Sequence, residues 1–225
     1  RSLKNKLIKT MQINFETTSD TEVILKLYEV YGTKSFKMLD GMFVFTILDK
    51  EESKVYLVRD FFGEKPLYFT KQRSGVYWAS ELKSIKKIIP EPLSLSQEAI
   101  ELFFQLTYIP SPHSIYENVF KLLPNHFLEI DIRTNNYNQY EISSSKAGDI
   151  KSQMNLETAK SKTKELVTES AISRCVSDVP VGTFLSGGVD SSIASLCLAN
   201  HKETPIDTFS MGFEKNLLMK LTNLS

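Results

Sequence analysis

Short apolar runs separated by polar turns dominate residues 42–142. Residues 42–48, 55–59, 66–70 and 76–79 each carry the β-branched and aromatic residues of a strand, with a polar turn at 49–53 and another ending in Gly75. Connections this short predict an antiparallel meander. Residues 81–89 then change to a helical pattern. A second, amphipathic helix is predicted over 97–107, with Pro110 and Pro112 expected to stop it. Further strands fall within 114–132 and 137–142, around the turn Thr134-Asn135-Asn136. At the other end, 11–15 alternate like a strand. Ser19 and Glu22 have the spacing of a capping box. The helix they open has an apolar stripe of Val23, Ile24, Leu27 and Val30, and Gly32 is its expected C-cap.

The pattern changes after residue 142. Residues 143–149, rich in Ser with Lys, Gly and Asp, have the composition of a linker. A long helix is predicted over 156–177, a short buried strand over 181–185, a helix over 193–199 and a second, parallel strand over 206–213. Strand, helix and parallel strand make a βαβ unit. The expected organisation is a first domain over 1–142, a linker over 143–155 and a second domain over 156–225.

Composition narrows the setting. The 225 residues are 41% hydrophobic and 24% charged, with 27 basic and 27 acidic side chains, which is the make-up of a soluble globular chain. A net charge of zero gives no basic surface for nucleic acid. No apolar run approaches the ~20 residues that span a bilayer, and the opening residues carry no signal-peptide pattern. Neither a nucleic-acid nor a membrane partner is expected. Cys175 and Cys197 lack metal-ligand spacing and are expected to be buried free thiols, as in a reducing cytoplasm. The histidines, at 113, 126 and 201, form no cluster. Because residue 1 is Arg, the sequence is expected to begin partway through a larger product, or after processing.

The most specific chemistry lies at the junction of the predicted strand 181–185 and the helix after it, written Ser186-Gly187-Gly188-Val189-Asp190-Ser191-Ser192. Glycines let a backbone approach a ligand closely. The first turn of a helix offers unpaired N–H groups and a partial positive charge, so a phosphate is the natural guest. The serine hydroxyls can add donors. Asp190 would repel a bare phosphate, so its presence suits a site where a divalent cation lies between the two charges. A Walker loop is excluded, since Gly-Lys-Ser/Thr is missing. Ser-Gly-Gly alone would be an ordinary strand-to-helix turn with Ser and Asp as N-caps; the full string favours a ligand site.

That string resembles the pyrophosphate-binding loop of ATP pyrophosphatases that activate a substrate by adenylation. With Ser177-Asp178-Val179-Pro180 before it, it is most similar to glutamine-hydrolysing asparagine synthetases. Leu39-Asp40-Gly41-Met42-Phe43-Val44-Phe45 and Arg59-Asp60-Phe61-Phe62-Gly63-Glu64-Lys65-Pro66-Leu67-Tyr68 resemble the glutaminase domain of class II amidotransferases, as do Ser19-Asp20-Thr21-Glu22 and Ala79-Ser80-Glu81-Leu82-Lys83. The phrase from Ile115 to His126 is similar to that domain's closing strands, with Asn125 where the family usually has Gly. Residues 216–225 depart from the family pattern.

The resemblance implies an incomplete α+β N-terminal-nucleophile (αββα) glutaminase domain, followed by the start of an α/β parallel-sheet ATP pyrophosphatase domain. It implies glutamine, aspartate and ATP as substrates, Mg2+ beside the ATP, and it allows a homodimer. Phe184, Leu185, Ser186, Gly187, Gly188, Asp190, Ser191, Ser192 and Met211 would bind ATP or pyrophosphate, with Asp190 also orienting the metal. Met211 suits a buried strand residue equally well. Asp20 would bind the α-ammonium of glutamine; a helix-start carboxylate favoured by the dipole is the alternative. The family's nucleophile is an N-terminal Cys and its oxyanion is held by Asn-Gly; neither is found at the start of these residues, so the chain alone is expected to be inactive. Arg59 and Lys65 are expected to serve the fold through a salt bridge or loop contact. The aromatic residues Phe61, Phe62, Tyr68, Phe69, Tyr77 and Trp78 are expected in the core. A β-lactam synthetase-like enzyme, or a non-catalytic fragment or interaction module, remains as an alternative.

Overall fold

The computed structural model describes residues 2–143, 154–177, 179–202 and 204–212. The chain divides into two compact units, Arg1–Lys146 and Ala147–Ser225. The predicted linker at 143–149 lies, apart from residue 143, outside the described residues, as does the departing tail.

The first unit opens with helix α1 (Ser2–Met11) where strand alternation at 11–15 was expected. Leu3 and Leu7, four residues apart, share one helix face, and Leu7 is buried. Gln12, at φ +55°, ends that helix, and 12–15 form no strand. Helix α2 (Asp20–Tyr31) starts at Ser19, whose hydroxyl accepts from Thr21 N at 3.2 Å. The capping box is not closed reciprocally. The Glu22 carboxylate reaches past the cap to accept from Glu16 N at 2.8 Å and Thr17 N at 2.7 Å. Gly32, at φ +57°, caps the other end. Of the predicted stripe Leu27 is fully buried, whereas Val30 is exposed and Tyr28 takes part in the packing instead.

The strands form two antiparallel sheets rather than one meander. β1 (Val44–Asp49), β2 (Lys54–Arg59), β6 (His126–Asp131) and β7 (Tyr137–Glu141) make the first, in the order β1-β2-β6-β7. β3 (Tyr68–Gln72), β4 (Gly75–Ala79) and β5 (Val119–Lys121) make the second, in the order β4-β3-β5. Alternation along β2 explains the layering. Val55 and Leu57 join Leu67, Phe69, Leu122, Leu128 and Ile130 between the sheets, while Tyr56 and Val58 turn to the other face, onto Phe36 and the partly buried Ile24 and Tyr28. Phe36 belongs to the 3-10 helix Gly32–Met38. Helix α3 (Leu82–Ile88) packs Ile85 beside Val119 and the partly buried Tyr68 and Tyr77, on the second sheet. The result is helix, sheet, sheet, helix, with β2 apolar on both faces because both are covered.

Helix α4 (Gln97–Leu106) ends where the predicted helix 97–107 does, at Thr107, whose φ of +65° caps it. The run 114–132 is broken at Asn125, whose φ of +59° turns the chain from β5 into β6. Phe69 is buried as predicted, but Phe61 and Phe62 are exposed and stack edge-to-face on each other. Their loop is held by its neighbours' polar groups. Asp60, fully buried, accepts from the N–H groups of Phe62, Glu64 and Lys65. Arg59 forms no salt bridge there; it donates to the carbonyls of Gly63, Lys65 and Leu122. Lys65 thus serves the loop through its backbone.

The second unit contains helix α5 (Leu156–Ser173), strand β8 (Thr183–Phe184), helix α6 (Val189–His201) and strand β9 (Thr208–Phe209). Asn155 caps α5, its side chain accepting from Thr158 N at 2.8 Å. The helix is shorter than the predicted 156–177. β8 and β9 pair in parallel, Thr183 with Thr208 and Phe184 with Phe209. The predicted buried strand is therefore two residues long, and Phe184 is 83% exposed: among the described residues only β9 flanks β8 in the sheet, and the packed helix covers one face. Cys175 and Cys197 are free and half-buried. Among the described residues, no helix is long and apolar enough to cross a membrane.

Candidate functional site

The glycine turn sits where the sequence reading puts it, at the carboxyl end of a parallel strand and the start of a helix. Two main-chain bonds hold β8 to β9: Thr183 N donates to Asp207 O at 2.9 Å and Leu185 N to Phe209 O at 2.8 Å. The Ser210 hydroxyl adds a third tie, donating to Leu185 O at 2.7 Å. Gly187 then takes φ +77°, a region that side chains with a Cβ rarely adopt, and so reverses the chain into α6. Gly188 is the N-cap residue and supplies no side chain. A Cβ there would touch nothing nearer than the Ser186 hydroxyl at 3.5 Å, so the space in front of the helix start is open.

Three serines line this opening. Ser186 Oγ and Ser191 Oγ lie 3.0 Å apart, and Ser186 N donates to Ser191 Oγ at 3.3 Å. Ser191 Oγ and Ser192 Oγ both donate to Gly188 O, at 3.1 and 2.8 Å. The hydroxyls thus hold the turn in shape through bonds among themselves and to Gly188 O. Below them Ser195, buried, donates to Ser191 O at 2.8 Å and meets Thr183 Oγ1 at 2.8 Å, pinning α6 to β8. Ser195 and Ser210 are the positioning residues that the sequence reading missed. Their pattern is that of ordinary helix and strand residues, and only the hydrogen bonds single them out.

The other predicted residues fall around the same turn with differing claims. Leu185 is half-buried and ends the strand. Phe184 and Met211 are exposed, at 83% and 82%. Phe184 faces Phe209, ring centres 6.3 Å apart. Asp190 is exposed in the first turn of α6. No group of three or more metal-ligating side chains occurs among the described residues. Asp178 and Phe213, in the strings flanking the turn, lie outside the described residues. Asp20 belongs to the first unit, exposed at the N-terminal end of α2 next to the Ser19 cap.

Comparison with known proteins gives the same order along the chain. Residues 1–141 match the family model of the glutamine amidotransferase domain, and residues 162–219 match that of asparagine synthase. A Methanocaldococcus jannaschii protein named as a glutamine-hydrolyzing asparagine synthetase is 36% identical over 211 residues, covering 92% of this chain and 41% of its own length. Asparagine synthetase (glutamine-hydrolyzing) 1 of Bacillus subtilis is 34% identical over 205 residues, covering 89% and 31%. The chain therefore spans less than half the length of either. Among solved structures, a glutamine phosphoribosylpyrophosphate amidotransferase from B. subtilis aligns over 92% of this chain and 42% of its own, with a TM-score of 0.43 at 19% identity.

Proposed function

We propose that this chain, which belongs to the glutamine amidotransferase family and continues into asparagine synthase sequence, is part of an enzyme that makes asparagine from aspartate, with glutamine as nitrogen donor and ATP as activating substrate. One observation carries this reading: an amidotransferase domain is followed, in one chain, by asparagine synthase sequence that forms a strand–turn–helix with an open glycine turn. In the proposed reaction ATP adenylates aspartate with release of pyrophosphate, and ammonia from glutamine displaces AMP. Residues 1–142 would be the glutaminase part, 143–155 the connection and 156–225 the start of an ATP pyrophosphatase domain.

The turn residues receive roles that follow from their geometry. Backbone N–H groups at Gly187, Gly188 and the first turn of α6 would donate to the pyrophosphate, and the helix dipole would favour its charge. Ser186, Ser191 and Ser192 add hydroxyl donors. Asp190 would hold Mg2+, and the ion would supply charge neutralisation to the leaving pyrophosphate. Phe184, Leu185 and Met211 offer the apolar surface for the nucleotide. Asp20 would take the α-ammonium of glutamine. The cytoplasm is the proposed setting, consistent with two free thiols.

Isothermal titration of Mg-ATP into the chain, beside Asp190→Ala, tests the reading. Saturable binding that the variant loses supports it. Absence of binding to a chain whose circular dichroism shows it folded would overturn the nucleotide role of the turn.

A further inference from the structure

A second opening lies in the first unit, away from anything assigned above. It is a cavity of about 300 Å³ whose walls include Arg59, Tyr68, Tyr108, Ile109, Pro110 and Lys121. This volume is at the lower end of the range for ligand pockets. Its walls join two cations to rings, prolines and aliphatic groups, so it is amphipathic.

The two cations have donors to spare. A guanidinium carries five N–H groups and an ammonium three. Arg59 spends three, one from each nitrogen: Nε to Lys65 O at 2.7 Å, Nη2 to Gly63 O at 2.6 Å and Nη1 to Leu122 O. One N–H on each terminal nitrogen is left. Lys121 Nζ donates to Ile109 O, which leaves two more. Among the described residues neither cation forms an ion pair. The Asp60 carboxylate next to Arg59 is directed at three backbone amides and cannot turn to the cavity. Burial pushes the Lys121 ammonium down from its ordinary range, and the neighbouring Arg59 charge lowers it further. The Asp60 charge favours the Arg59 guanidinium, but the Lys121 ammonium has no such carboxylate at hand among the described residues, and a partly desolvated charge is costly without an anion.

We propose that this cavity binds a small organic carboxylate, whose oxygens accept from Lys121 Nζ and from the Arg59 Nη groups while an apolar or aromatic body lies against Tyr68, Tyr108 and Ile109. A carboxylate with an apolar body fits better than an inorganic oxyanion because the wall is mixed: Leu67, Ile109 and Pro110 would face water around a bare ion.

Benzoate is the probe, with benzamide as its neutral isostere and inorganic phosphate as the oxyanion control, each titrated into the full chain and followed by amide correlation spectra. Benzoate is expected to shift Tyr108, Ile109 and Lys121 saturably, and benzamide to bind about tenfold more weakly, as for loss of a charge-assisted hydrogen bond. Lys121→Met should weaken benzoate by a similar factor, and Lys121→Arg should restore it. Equal shifts with benzoate and benzamide, or undiminished benzoate binding in Lys121→Met, would overturn the proposal. Phosphate saturating the same amides more tightly than benzoate would also overturn it. If Lys121→Met fails to fold, the wild-type comparison of benzoate with benzamide decides alone.

Discussion

Ser186 Oγ and Ser191 Oγ meet at 3.0 Å across the glycine turn, and Ser191 also receives Ser186 N at 3.3 Å. Ser191 is therefore the node of the turn: it takes both polar groups of Ser186 and passes its own proton to Gly188 O. In an anion complex that proton is the one best placed to be redirected. Ser191→Ala should weaken Mg-ATP binding about tenfold, the usual weight of one hydrogen bond to a charged group. Titration calorimetry reads this directly. Affinity within about twofold of wild type would remove the hydroxyl from the ligand set.

Gly182 governs whether the strand pair under that turn can form. A Cβ at this position would lie 2.8 Å from Asp207 O and 2.8 Å from the Phe209 ring. The first contact is with backbone that accepts from Thr183 N, so it cannot yield without loosening the β8–β9 pairing. Gly182→Ala should abolish nucleotide binding while leaving the unfolding transition of the first unit in place. Calorimetric titration and thermal unfolding on the same sample separate the two effects.

What the sequence disclosed, and what it hid, follows from the range of the interactions. The run 55–59 is legible as a strand because local pattern and burial on both faces agree. That β1 and β2 belong to one sheet and β3 and β4 to another is not legible, because the hairpins look alike. Their separation is decided by residues far along the chain, Phe127 opposite Val58 and Phe120 opposite Phe69. At the site, Ser186 to Ser192 form a string whose glycines and hydroxyls announce a turn. Ser195 and Ser210 carry no such announcement, since a single Ser in a helix or after a strand is common. The exposure of Phe184 was hidden for a related reason: an apolar run signals what can be buried, and covering it takes neighbours.

Gly63 makes the loop after β2 possible. It adopts φ +65°, and a Cβ there would lie 2.8 Å from Pro124 Cγ and 3.0 Å from Arg59 Cζ. Pro124 is a rigid ring, and Arg59 is fixed by three carbonyls, so neither gives way easily. Gly63→Ala should cost about 1–3 kcal/mol through backbone strain and crowding. For a chain of this length that lowers the melting temperature by about 2–4 °C for each kcal/mol. Thermal unfolding followed by circular dichroism checks it, and an unchanged midpoint would show that the loop relaxes around the added methyl.

Glu22 ties the segment before α2 to the helix start, accepting from Glu16 N, Thr17 N and the Thr17 hydroxyl. The Thr17 hydroxyl and then the Glu16 amide hold its carboxyl below the usual glutamate range. A depressed value in the folded state means that the ionised form is the stabilising one. Its contribution is complete above the unfolded-state value, about 4.3, and is lost as pH falls through the folded value. Amide resonances of Glu16 and Thr17 should therefore titrate together with the Glu22 carboxyl, at a midpoint below that of a free glutamate. In Glu22→Gln those two amides should no longer follow pH in this window. Amides that titrate at the ordinary glutamate value in the unsubstituted chain would show that the reach-back bonds are not populated in solution.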